Sequence, residues 1–294
     1  SVTAPHPYLN PRYVAALGDG LPALAVPEWR SWAIPRPIPG GGQDAMGVYP
    51  MTPLATDADL EGGLARCRAA GLVSLVMVPD PLAAPDPAAL QRAFPICRPF
   101  KTHYLIDRSA PFAPSRHHRE RIRRGQRRCR IEPTSLARHL DGWRALYAEL
   151  SAKRGIAGAA AFRPGYFEAL AADPAICAFA AFVGDELAGM TLWFEHEGVV
   201  YNHLTASNAA GYANSANFAL YAAAVEHFAS GVINLGGPAG MSDVGDGLAQ
   251  FKAGFANART QAWLCGAVLD DERYARLAAG RETGAYFPAY RAPA

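Results

Sequence analysis

The stretch Gly231-Val-Ile-Asn-Leu-Gly-Gly-Pro-Ala-Gly-Met-Ser-Asp-Val-Gly-Asp-Gly-Leu-Ala-Gln-Phe-Lys-Ala-Gly-Phe255 limits the fold of this chain more than any other segment. Residues 232–235 form the short apolar run of a buried strand, and residues 248–255 have the composition of a short helix. The glycine-rich segment between them suits neither element. It permits a ligand or another chain to lie directly against backbone. Lys252 is the one cation of the helix, between Phe251 and Ala253 with Phe255 beyond, and in such apolar company a charge acts through a low dielectric. A strand, an open loop and one cation make the layout of a site that stabilises developing negative charge.

The 294 residues suffice for two domains of about 130 to 150 residues each. Half of the residues are hydrophobic and 18% are charged, a composition that builds a core and argues against disorder. The formal net charge of +2 conceals a strong asymmetry: residues 116–130 hold eight arginines against one glutamate, so the rest of the chain is net acidic. Five cysteines without C-x-x-C or C-x-x-H spacing argue against a disulfide framework and a zinc site, and they fit a reducing compartment. No apolar run approaches a membrane span, and the first residues lack a basic-then-apolar signal pattern. A cytoplasmic protein with neither metal nor cofactor is expected.

Residues 1–50 are proline-rich and read as irregular, anchored by Trp29, Trp32 and Tyr49. Helices are predicted over 57–70, 88–94 and 115–128, the last capped by Ser115, and strands over 72–78 and 99–106. A second unit begins near Arg130. Its predicted order is helix (136–150), helix (166–171), three antiparallel strands (176–183, 187–195, 199–205), helix (217–230), strand (232–235), helix (248–255) and strand (261–269). This gives a mixed α/β (α+β) chain with largely antiparallel sheets. Its domains would span 1–129 and 130–294, the first a degenerate copy of the second.

The second-unit order resembles that of a GNAT-type N-acyltransferase domain, and Phe251-Lys-Ala-Gly-Phe255 looks like the aromatic-x-x-Gly-Phe element such domains carry before a final strand. The strand end Asn234-Leu-Gly-Gly237, Gly247-Leu-x-x-Phe-Lys252, the Ser115-x-x-x-Arg-x-x-Ile-Arg-Arg124 helix and Tyr274-x-x-Leu277 all resemble the Fem-like tandem-GNAT proteins. The similarity covers roughly residues 50–290. It implies two tandem GNAT-like units and acyl transfer to an amine. Fem enzymes take the acyl group from an aminoacyl-tRNA, and other relatives use acyl thioesters. A CoA-dependent GNAT domain usually carries an Arg/Gln-x-x-Gly-x-Gly/Ala turn for the pyrophosphate. Here the matching segment, residues 207–217, has one glycine and no basic residue, which favours the tRNA donor.

By the same resemblance Lys252 would hold the tetrahedral oxyanion, and Phe251 would stack on a terminal base or wall the pocket. The alternative is an exposed helix lysine beside a core phenylalanine. On the 199–205 strand Tyr201 and His203 share one face and Asn202 the other, with Tyr212 and Asn214 in the following loop. These are candidate substrate contacts, and His203 is a candidate base or else a hydrogen-bonded core histidine. Asp246, with Asp243 nearby, is a rival base or a helix cap. In the first unit Asp44, Tyr49, Lys101 and His103 sit on a loop and a strand expected to face the inter-domain cleft, and Lys101 and His103, on one side of their strand, could pair as an acceptor-phosphate site or could be edge-strand polarity. Arg116, Arg119, Arg123, Arg124, Arg127 and Arg128 suit a polyanion such as a tRNA acceptor stem, or else make a solvated helix paired with acidic loops.

The leading expectation is an enzyme that moves an aminoacyl group from aminoacyl-tRNA to an amine of a small metabolite or peptide, as in natural-product biosynthesis. The alternatives are an acyl-CoA or carrier-thioester N-acyltransferase and a non-catalytic RNA-binding module. DNA is not an expected partner.

Overall fold

A computed structural model of the chain describes residues 5–155, 162–238, 247–281 and 284–293. In chain order the elements are α1 (Pro11–Leu17), β1 (Leu24–Val26), β2 (Ser31–Pro37), β3 (Gln43–Met46), α2 (Leu60–Ala69), β4 (Ser74–Met77), α3 (Pro87–Ala93) and β5 (Ile96–Asp107). They continue with α4 (Arg116–Arg128), β6 (Arg130–Thr134), α5 (Leu140–Arg154), α6 (Tyr166–Ala171), β7 (Ile176–Val183), β8 (Glu186–His196) and β9 (Val199–Ser207). The last are α7 (Ala209–Ala213), α8 (Ala216–His227), β10 (Val232–Asn234), α9 (Gly247–Phe255), β11 (Ala258–Val268) and α10 (Asp271–Ala278). No helix among the described residues is long and apolar enough to cross a membrane.

The chain forms two compact units, Ser1–Phe100 with Gln261–Ala294, and Lys101–Thr260. In the first, β1, β2 and β3 pair antiparallel, β3 runs parallel to β4, and β4 pairs antiparallel with β11. In the second, β6 to β9 form an antiparallel meander, β9 runs parallel to β10, and β10 pairs antiparallel with β5. Both sheets therefore repeat one pattern: antiparallel strands, a helical crossover to a parallel neighbour, then an antiparallel closing strand. The closing strands are exchanged along the sequence. The strand after α3 completes the second unit's sheet, and the strand after α9 completes the first unit's.

That exchange moves the boundaries away from the 129/130 division expected from sequence. Helix α4 belongs with the second unit because it packs on α8, where Gly125 lies so close that a Cβ would sit 2.4 Å from the Ser215 carbonyl oxygen. The first 50 residues are not irregular: they contain α1 and β1 to β3. Pro35 and Pro37 disguise β2, and Pro133 disguises β6, an edge strand of its sheet.

Each unit has its own core. The first is built around Trp29, Leu64, Leu75, Phe94 and Cys265. The second is built around Trp193, Leu220, Tyr221, Ile233, Leu235 and Phe255. Burying each such side chain contributes about 1.5–3 kcal/mol, and α8, apolar nearly all round, carries much of the second core.

Two irregularities lie at the centre of the second sheet. Leu192 of β8 pairs with Leu204 and Trp193 with Asn202, which leaves His203 as the extra residue of a β-bulge. Pairing of β9 with β10 covers only residues 199–201, although β9 continues to Ser207. Among the described residues the pairing of the two parallel strands ends at Tyr201, where β10 gives way to the glycine loop.

Candidate active site

The end of β10 and the start of its glycine loop gather several of the sequence candidates. Asn234, buried, accepts the Gly236 amide at 2.7 Å through Oδ1 and donates through Nδ2 to His103 Nδ1 at 3.1 Å. That bond assigns the histidine proton to Nε2. The Lys252 ammonium, on α9, donates to the Gly237 carbonyl at 2.6 Å, and the Lys101 ammonium on β5 donates to the Pro238 carbonyl at 2.7 Å. A Cβ on Gly236 would lie 3.5 Å from Lys252 Nζ, and one on Gly237 only 2.9 Å from the Thr102 carbonyl oxygen, so these glycines bring two cations against bare backbone. Lys252 is buried, not an exposed helix lysine. Its charge therefore acts at short range in a poorly screened setting, as an oxyanion-stabilising donor requires.

Helix α9 is fixed by a residue of α4 that the sequence did not single out. His118 is buried; its Nε2 bonds the Phe251 carbonyl at 2.7 Å, and its Nδ1 lies 3.0 Å from the Ser115 hydroxyl that caps α4. Burial holds its pKa below the usual histidine value, so the ring is neutral near pH 7. The Ser115 amide donates to the Gly254 carbonyl at 2.9 Å. A Cβ at Gly254 would meet the His118 ring at 2.0 Å, which gives the glycine of the aromatic-x-x-Gly-Phe element a physical reason. Gly254→Ala should therefore destabilise by about 1–3 kcal/mol through overpacking, although alanine in an unhindered helix gains about 1 kcal/mol over glycine. A urea midpoint unchanged or raised by this substitution would refute the wedge.

On β9 the two faces have different characters. Asn202 Oδ1 accepts from the Tyr221 hydroxyl at 2.6 Å, and Asn202 Nδ2 donates to Thr205 Oγ1 at 3.3 Å. Tyr221, its phenol pKa pushed up by burial, packs edge-on against Phe251 with centroids 4.9 Å apart. Phe251 is thus joined to Asn202 of β9 through Tyr221, and Tyr221 and Thr205 are members of this cluster that the sequence did not single out. Their signal was weak because neither lies in a glycine or charge motif. Tyr201 is buried on the opposite face with His203.

His203 fits the core alternative rather than the base. It is buried, its Nε2 lies 2.7 Å from the Tyr166 hydroxyl, its ring packs on Phe194, and desolvation lowers its pKa to about 3. A base for an amine needs a pKa nearer neutrality. Asn214 is also spent structurally, its side chain donating to the Ala210 carbonyl at 2.8 Å. Tyr212 is exposed, with Lys153 Nζ 4.8 Å from its ring centroid. Asp243 and Asp246 lie outside the described residues.

The first-unit cluster separates. Asp44 is wholly buried and its carboxylate is occupied by Arg36, Arg291 and the Tyr290 hydroxyl, at distances from 2.7 to 3.1 Å. It clamps Tyr290 and Arg291 onto β3, so it is a structural anchor rather than a substrate contact. Tyr49 contributes its carbonyl, which accepts from the Tyr13 hydroxyl at 2.5 Å. Lys101 and His103 belong instead to the β5 segment of the second unit.

Helix α4 buries His118, Ile122 and Gly125 and exposes Arg116, Arg119, Arg123, Arg127 and Arg128, with Arg124 half-buried. Arg116–Glu120, within the helix, is the one ion pair of these arginines among the described residues. Arg124 donates to the Ala213 carbonyl at 2.8 Å, and Arg121 reaches the Ser215 hydroxyl at 3.5 Å. The turn between α7 and α8, itself without a basic residue, is served by arginines from α4.

An acetyltransferase (GNAT) domain family matches residues 116–239. Among solved structures, the DUF2156 C-terminal domain of a protein named as a lysylphosphatidylglycerol synthetase from Agrobacterium fabrum shares the fold, with TM-score 0.60 and 15% identity over 87% of each chain. FemX does so with TM-score 0.59 and 10% identity over 83% of this chain and 85% of its own. L-PGS from Bacillus licheniformis gives TM-score 0.57 and 12% identity over 89% and 93%. No curated protein sequence matches the chain. The chain thus carries a match to the acetyltransferase (GNAT) domain over residues 116–239 and shares the fold of FemX and of the lysylphosphatidylglycerol-synthetase domains.

Proposed function

We propose that the chain transfers an aminoacyl group from aminoacyl-tRNA to an amine of a small metabolite or peptide. The carrying observation is the exposed arginine face of α4, in the same unit that holds Lys252 and with Arg124 reaching the α7–α8 turn. Planar guanidinium groups along one exposed helix suit a phosphate backbone. In this reading Arg116, Arg119, Arg123, Arg127 and Arg128 meet the RNA. The acyl ester lies where the pairing of β9 with β10 ends, walled by Phe251 and Tyr221.

The acceptor nitrogen attacks the ester carbonyl carbon, and the C–N bond forms as the carbonyl becomes a tetrahedral oxyanion. Lys252 stabilises that oxyanion. Collapse breaks the C–O bond to the ribose, and the proton lost by the amine ends on the departing ribose oxygen. Asn234 fixes the tautomer of His103 at the same strand end, where an Nε2–H donor can orient the acyl carbonyl or the acceptor.

A second reading has its own observation. Arg121 and Arg124 bring positive charge to the turn where a CoA pyrophosphate sits in CoA-dependent GNAT domains, so an acyl-CoA donor is the alternative. Product formation should be measured with a panel of amines and charged tRNA, with and without RNase, and in parallel with CoA thioesters. We expect RNase to abolish turnover. Turnover that survives RNase, or a large thermal shift with CoA alone, would overturn the tRNA reading in favour of the thioester.

A further inference from the structure

Helix α4 presents arginines on two flanks. Arg121 and Arg124 point to the α7–α8 turn, whereas Arg119 and Arg123 line a separate open groove of about 390 Å³ between α4, α8 and the segment after β5. The floor is apolar, formed by Phe112, Ile122 and Val225. Phe112 is held nearly parallel to the buried Phe255 of α9, with centroids 6.4 Å apart and planes 9° apart, so its ring is a fixed surface. Arg108 closes one side, its guanidinium carbon 5.9 Å from the Phe112 centroid. Its guanidinium adds a third positive charge to the groove. Glu226 is the single acid on the rim.

A flat aromatic floor, three guanidinium groups and one carboxylate match the parts of a ribonucleotide. The base has a face to stack, the phosphate needs cations, and the 2′-hydroxyl can donate to a carboxylate. A volume near 390 Å³ is at the small end of ligand sites and suits one nucleotide rather than a long chain. We infer that this groove holds one nucleotide of the donor RNA away from its acylated 3′ end, with the base on Phe112, the phosphate at Arg119 and Arg123, and the ribose toward Glu226. The inference rests on the tRNA reading and makes Phe112 and Arg108 specificity residues. Contact between Phe112 and Phe255 ties the groove to the helix that carries Lys252.

The test compares two donors, full-length charged tRNA and a charged CCA trinucleotide, with wild type, Phe112→Leu, Arg108→Gln and Arg123→Gln. The KM for charged tRNA should rise about tenfold in Phe112→Leu and Arg108→Gln, while the KM for the trinucleotide changes by less than about twofold. Arg123 is exposed, so Arg123→Gln keeps the test valid should either other variant fold poorly, as judged by its thermal midpoint. RNA-dependent turnover with all three variants at the wild-type KM for charged tRNA would overturn the groove assignment and leave the donor intact. Equal KM increases for both donors would place the variants' effect at the acyl end and also overturn it. Absence of any RNA-dependent turnover would overturn the donor reading and the groove together.

Discussion

Lys252→Met is expected to lower kcat about a hundred- to a thousandfold with little change in KM, the loss typical of removing one preorganised oxyanion donor. Lys252 is buried at the end of β10, where its pairing with β9 stops, and methionine preserves most of the side chain's apolar length. The substitution also leaves the Gly237 carbonyl without its ammonium donor, which costs about 1 kcal/mol of stability. The two roles are separable. A purely structural lysine would show itself as a fall in thermal midpoint with near-normal turnover by the folded fraction. A catalytic one leaves a folded protein that binds donor and acceptor but turns over slowly. Lys252→Arg retains the charge but not the point geometry of an ammonium, so it should recover only part of kcat. Steady-state kinetics on the three proteins, with the folded fraction measured at the assay temperature, decides the matter. Wild-type kcat in Lys252→Met would remove Lys252 from the mechanism.

Most of the second unit was legible because its elements carry strong periodic signals. β7 spans residues 176–183 and α6 residues 166–171 as predicted, and β8, β9, α8 and α9 differ at their ends by a few residues. Three kinds of information were hidden. Prolines concealed β2 and β6, since the ladder positions they occupy become visible only once partner strands exist. The exchange of β5 and β11 was invisible because strand pairing is non-local: nothing in residues 96–107 announces that their partner is β10. Polar networks were hidden for the same reason. Asp44 looks like a loop carboxylate until Arg36, Tyr290 and Arg291 converge on it, and His118 looks like one more charge on α4 until its ring is found wedged at Gly254. The motif around Lys252 was legible because its glycines and single cation are local. The partners that orient it, Asn234 apart, come from distant segments.

The pH dependence of stability should carry the signature of His203. In the unfolded chain this side chain takes up a proton near pH 6.5, but in the folded protein burial delays protonation to about pH 3. The unfolded state therefore binds more protons throughout that interval, and stability falls as the pH falls. The contribution of neutral His203 is complete above about pH 6.5 and is progressively lost down to the folded pKa. Between pH 7 and pH 5 the loss from this one group is about 2 kcal/mol, which is several degrees in thermal midpoint. His118 acts in the same direction, since burial lowers its pKa as well, so wild type alone cannot isolate His203. His203→Gln can: the amide still reaches toward the Tyr166 hydroxyl but does not titrate. At pH 8 the variant should be no more stable than wild type. By pH 5 the gap should have moved about 2 kcal/mol in the variant's favour, and the window stays above the range where carboxylates dominate acid unfolding. Parallel midpoint–pH curves for the two proteins would mean that His203 is solvated or paired with a charge in the native state. It would then regain its place as a candidate base.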